Sequence, residues 1–375
     1  MATRLLFAPL IIILVICCNI DRAVAQSPPV DPATHPIIQP YVTVDNGARV
    51  DLLQVQRDDR MIVSGSWSNG VKFSDVVTGA ALAIQAFQGY CANSIALSHD
   101  GQTLATGNND GKVRIWDIRT VKLQQTLAVS RWSVFAVAFS PDGQLLAADG
   151  ADGTTQLWNI KDGSLFQSVG EQGERVEAMT FSPNGSLLAT VSMAGDAAVW
   201  DVISGQALSR FHNYERQRSV YFSSDGQVVA IAGILRIHFW TTHNGDPLQT
   251  VELPDEINPL KNDDGIMRKS SFARSRLVWA PSIVLSPDLM TAASCLENGD
   301  IAIWDLESRQ VRAILTAEHL AKELGGGVMS LLFSHNGNIV AAGSQNGKVQ
   351  LWDVKKLVRR KVRLRLPPVQ HAISG

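Results

Sequence analysis

Six tryptophans in this chain fall on one ruler. Trp116 in VRIWDI, Trp158 in TQLWNI, Trp200 in AAVWDV, Trp240 in IHFWTT, Trp304 in IAIWDL and Trp352 in VQLWDV are separated by 42, 42, 40, 64 and 48 residues. A second marker keeps pace with them. The serines of LSHDG, FSPDG, FSPNG, FSSDG, LSPDL and FSHNG stand at 98, 140, 182, 223, 286 and 334, in steps of 42, 42, 41, 63 and 48. Two markers whose steps agree to within one residue, long ones included, mean that one unit has been copied and that two copies carry insertions. One step back from Trp116 lies Ser74 in VKFSDV, and VQRDDRMIVSGS aligns with LSHDGQTLATGN without a gap. This is a seventh copy that lacks its tryptophan.

Each copy reads as four short strands. The first, as in VFAVAFS, ends at a Pro-Asp-Gly type turn. The second, as in LLAADG, leads into a hairpin at Asn109-Asp110-Gly111, Asp152-Gly153, Asn298-Gly299 or Asn346-Gly347. The third carries the tryptophan, and the fourth ends in an apolar residue such as Leu127, Val169, Phe211 or Leu315. A sheet this small cannot bury both faces alone, so the copies must stack on one another. Radial stacking predicts an all-β fold, a seven-bladed β-propeller of four-stranded antiparallel blades over residues 41–354.

These residues resemble the WD-repeat β-propeller family across nearly all of that span. The resemblance assigns structural roles to Trp116, Trp158, Trp200, Trp240, Trp304 and Trp352, and to Asp117, Asp201, Asp305 and Asp353, which directly follow four of them. The Gly-His pair of well-formed repeats is missing from every copy, so a His-centred hydrogen-bond network is expected to be absent or replaced. Family likeness also implies a non-catalytic interaction platform.

Ring closure has two candidates. Tyr41-Val42-Thr43-Val44 lies where a fourth strand for the last blade belongs, and would fasten the ring with both chain ends. The basic tail KKLVRRKVRLRL, at the head of the terminal segment 355–375, competes for the place.

Outside the repeats, Arg4 precedes the apolar run Leu5–Cys18, and Ala23-Val24-Ala25 follows. Fourteen helical residues reach about 21 Å, too short for the hydrocarbon core, so residues 1–25 read as a cleavable export signal. An uncleaved anchor is the rival reading. Residues 26–40 contain five prolines and read as a stiff linker. Localisation is therefore expected to be periplasmic or extracellular. Cys91 and Cys295, each in an apolar run, read as buried small hydrophobes.

Charge is nearly balanced, with 33 Lys and Arg against 35 Asp and Glu, which excludes a polyelectrolyte and makes a nucleic-acid partner unexpected. Antiparallel strands put the four-to-one and two-to-three loops on one face. That face is expected to hold Trp67, Tyr90, Arg131, Trp132 and Tyr214, residue types that carry interface energy. Two insertions enter it: residues 252–277, acidic and then basic, and residues 316–324, TAEHLAKEL, read as a short helix. The tail at 355–366 could meet an anionic surface.

Catalytic patterns are missing. The eight histidines have no metal spacing, and GxSxG, HExxH and phosphate-cradling glycine loops do not occur. Asp263-Asp264-Gly265 lacks the flanking ligands of a calcium loop, and Asn184-Gly185-Ser186 is a glycosylation sequon inside a repeat turn. First-strand positions toward the axis read Ser94, Ala136, Ala178, Ser219, Ser282 and Met329, poor in acids and histidine. The expectation is a monomer that binds protein through its loop-rich face, without metal or cofactor. The alternative is a propeller hydrolase or oxidoreductase with a metal or cofactor in the central channel.

Overall fold

The computed structural model describes residues 36–66, 70–85, 91–150, 153–170, 175–212, 219–233, 236–252, 283–296, 299–317 and 327–357. The export signal, Ser282, the insertion beyond Glu252, residues 318–324 of the expected helix and the tail beyond Leu357 lie outside them.

Seven antiparallel sheets follow one another along the chain, each built in strand order one to four. They are blade one at residues 52–85, two at 92–128, three at 137–169, four at 176–211, five at 219–252, six at 284–315 and seven at 328–353. The seventh takes its outer strand from the N-terminal side: Val42–Asp45 pairs antiparallel with Lys348–Asp353, Val44 opposite Val349. The first of the two closure candidates is thus the one realised, and the worn first copy forms a full blade.

Seven apolar clusters hold the ring together, one at each junction between neighbouring blades. A strand sends alternate residues to its two faces, so every blade contributes to two clusters. Each repeat tryptophan packs against the blade before it. Trp304 and Trp352 are among the largest fully buried side chains. At the corresponding place in blade one stands the buried Ser74.

The Trp116 indole donates to Thr106 Oγ1 at 3.2 Å and the Trp200 indole to Thr190 Oγ1 at 2.9 Å. Both threonines stand ten residues earlier, on the second strand. The same position is Ala148, Ala230, Ser294 and Ala342 in the other tryptophan-bearing blades. The indoles of Trp158, Trp304 and Trp352 find no hydrogen-bond partner among the described residues, and neither does the Ser294 hydroxyl.

The aspartates after tryptophan fold the next turn. Asp117 Oδ1 accepts from the backbone N and hydroxyl of Thr120 at 2.7 and 2.8 Å, and Asp201 and Asp305 do the same with Ser204 and Ser308. Asp75 repeats the bond with Thr78 in blade one. Asp353 departs from the pattern, accepting from the backbone N of Lys355 at 2.9 Å. Asp305, buried, also pairs with Arg312.

Two expectations are corrected. The linker does not run free to residue 40: Ile37–Ile38 forms a parallel strand on the outer edge of blade six, with Ile37 opposite Ile314. An outer strand leaves backbone groups unpaired, and Ile314 N and Thr316 N find Pro36 O and Ile38 O at 3.1 Å. The second correction concerns the first strands. In register with Ser94, which faces Gly107, blade seven has Ser330 facing Gly343, not Met329. Ser219 and Ser330 reach across junctions, donating to Ile283 O and Val50 O at 3.2 and 3.1 Å. Ala178 packs into the junction between blades four and five.

Candidate functional site

Arg131 and Trp132 occupy the loop from blade two to blade three, on the face shared by the four-to-one and two-to-three connections. The other three residues expected on that face, Trp67, Tyr90 and Tyr214, lie outside the described residues. Trp132 is 66% exposed and Arg131 is exposed beside it. Exposed tryptophan is costly to leave against water, and here it is presented by a loop with little freedom to fold it away.

The loop is fixed from both ends. Val129 and Val134 are buried in the cluster between blades two and three. Between them, Val129 N and Ser130 N donate to Gly111 O at 3.1 and 3.0 Å, and Val134 N to Asn108 O at 2.9 Å. Ser133 Oγ donates to Asn109 O at 3.2 Å, and Trp132 N donates to Ser130 Oγ at 3.1 Å. The loop thus lies directly on the Asn108–Gly111 hairpin of its own blade. Gly111 permits that approach: its φ is 77°, and a Cβ there would meet Ser130 O at 2.1 Å.

Electrostatics stiffen the hairpin in turn. Arg114, 4% exposed, grips Asp110 with its two terminal guanidinium nitrogens at 3.1 and 2.6 Å. Burial alone would raise the Asp110 carboxyl; the bond and charge of Arg114 outweigh it and hold the carboxyl below its ordinary value. Directly after Val134, the same face continues in a pair that sequence reading missed. The Arg175 guanidinium lies 4.0 Å over the Phe135 ring and pairs with Glu177. Both sit at loop ends outside the repeat markers, so periodicity could not flag them; an Arg-x-Glu at the start of a first strand was the available signal.

Among the described residues no three His, Cys, Asp or Glu side chains converge as a metal would require. The arrangement at Trp132 is suited to contact: an exposed aromatic and an exposed cation side by side on a fixed frame.

Four stretches of the chain, residues 83–117, 121–159, 164–201 and 318–353, match the family model described as WD domain, G-beta repeat. No curated protein sequence matches the chain.

Proposed function

Carrying those four matched repeats on a seven-bladed ring, the chain is a WD-repeat β-propeller, and from that premise we propose that it is a non-catalytic protein-interaction platform working outside the cytoplasm. Propellers of this family commonly mediate protein interaction. The observation that carries the reading is Trp132, exposed on a loop whose two ends are buried and whose backbone is bonded to the neighbouring hairpin. Holding an aromatic anchor in place before contact lowers the ordering cost of binding. The compartment rests on the apolar run Leu5–Cys18 and the Ala23-Val24-Ala25 that follows.

The test is a cross-linking pull-down from the exported fraction of the source cells, wild type beside Trp132→Ala and Arg131→Ala. Because both side chains are exposed, folding stability is expected to change by no more than about 0.5 kcal/mol. A stoichiometric partner captured by the wild type and lost with Trp132→Ala supports the platform and its face. An identical set of captured proteins removes this face from consideration.

A further inference from the structure

The opposite face holds a cavity that the binding-face reading does not use. It lies on the ring axis, because all seven blades contribute to its wall through the ends of their first strands and the turns that follow. Its volume is about 580 Å³, within the range of small-molecule sites.

The wall carries two chemistries. Blades three, four and five contribute Phe139, Phe181 and Phe222, and blade seven adds Phe333. Blades seven, one and two, which are neighbours in the ring, contribute His335, Arg57 and His99, all exposed at the mouth. No carboxylate is among the described residues that line the cavity. The nearby turn carboxylates are committed to their own turns: Asp100 accepts from Ser98 Oγ at 2.5 Å and Gln102 N at 3.0 Å, and Asp142, Asp225 and Asp288 repeat this with Ser140, Ser223 and Ser286. Asp59, buried behind the cationic side, turns Oδ1 to the backbone N of His335 at 3.2 Å. Arg57 makes no ion pair among the described residues. An aromatic bowl with cationic groups on one side is complementary to a molecule that is anionic at one end and apolar at the other. The planar guanidinium favours a carboxylate, which it can bind with two parallel hydrogen bonds.

We propose that this axial cavity binds a small organic carboxylate, with its charged end at Arg57 between His99 and His335 and its apolar body against Phe139, Phe181 and Phe222. Arg57 supplies the standing charge. Burial, and then the Arg57 charge, hold His99 and His335 below the ordinary histidine range, although Asp100 and Asp59 pull them upward; His99 further lowers His335. Both imidazoles are therefore neutral at pH 7 and gain charge as the pH falls. Asp100 is held below the usual carboxylate range by Ser98 and stays ionised, while burial raises Asp59, whose protonation acts in the same direction as that of the histidines. Affinity for the carboxylate rises on acidification.

Calorimetric titration of the full chain with 3-phenylpropionate, and with its neutral amide, tests the site. The carboxylate is expected to bind about tenfold more tightly than the amide, a preference removed by Arg57→Gln with amide binding retained. Binding is expected to stay level from pH 8 to about 7 and to tighten as the pH falls from about 7 to about 5.5, and His99→Gln with His335→Gln is expected to remove most of that tightening. Thermal melts confirm that the variants fold. Equal affinity for acid and amide, no heat from the carboxylate at millimolar concentration, or a preference that survives Arg57→Gln overturns the proposal.

Discussion

Between blades six and seven the junction is filled by Trp352, fully buried among Ile303, Leu315, Val340 and Val354. Between blades seven and one, where the ring closes, the matching position is Ser74, and no aromatic joins the cluster: Val42, Val44, Val50, Val55 and Ile62 fill it. The Ser74 hydroxyl is buried without a partner among the described residues, as is the Trp352 indole N–H. Both junctions leave a polar atom unsatisfied, yet one gains a large apolar body with it and the other does not. In these blades the repeat tryptophan therefore contributes through the area it buries, and its hydrogen bond is secondary. The closing junction instead relies on Val42 and Val44 from the N-terminal strand, so its packing depends on a segment far away in sequence.

The largest way to break this comparison is Trp352→Ala. Removing a fully buried indole is expected to cost about 3–5 kcal/mol in urea denaturation. A loss below about 1 kcal/mol would mean that the tryptophan-filled junction is no stronger than the closing one. Next comes Thr190→Val in blade four, which leaves the Trp200 N–H without its 2.9 Å acceptor. The expected cost is about 1–2 kcal/mol, while Ala342→Thr in blade seven offers Trp352 the acceptor it lacks. Equal stability of Thr190→Val and wild type would show that the bond contributes nothing even where it forms. At the closing junction, Ser74→Ala removes a buried hydroxyl with no partner, so stability is expected to stay level or rise by up to about 1 kcal/mol. A clear loss in the same denaturation experiment would reveal a role for that hydroxyl.

The smallest effect per group is a dependence on pH shared by all blades that carry the turn aspartate. Hydrogen bonds from the turn residues Thr78, Thr120 and Ser204 hold Asp75, Asp117 and Asp201 below the ordinary carboxylate range. Groups depressed in the folded state stabilise it above their unfolded pKa of about 4, and that contribution is lost as the pH falls through the folded values. Urea midpoints are expected to be flat from neutral pH to about 5 and to drop below about 4. Asp117→Asn, which removes one of these depressed carboxylates, is expected to make the acid limb shallower.

Much of the fold was legible because the repeat is a local code. Turn chemistry, the alternation of the third strand and the Trp-Asp step recur every 42 residues, and each is set by residues within a few positions of one another. Even the worn first copy kept its alignment through Asp58 and Asp75 after its tryptophan was gone. The threonine ten residues before Trp116 and Trp200 was equally present in the sequence, but its meaning depends on two strands pairing so that the indole reaches the hydroxyl. Of the binding face, sequence reading found Arg131 and Trp132. It missed Phe135 and Arg175, which meet only because blades three and four are neighbours.

Sequence alone determined the number of blades, their order and the sites of the turns, since all of these follow from short-range pattern and a fixed period; which of two segments completes the seventh blade was decided by the structure. Only the tertiary structure decided what happens where distant copies converge. Arg57, His99 and His335 are widely spaced in the chain, yet closure of the ring brings them to one side of a common cavity, opposite phenylalanines from three other blades. It also decided that Ile37–Ile38 would dock on blade six, because an outer strand with unpaired backbone groups exists only once that blade has formed. A periodic sequence repeats the same local instructions, and the sites that differ from blade to blade arise where the ring sets unlike residues side by side.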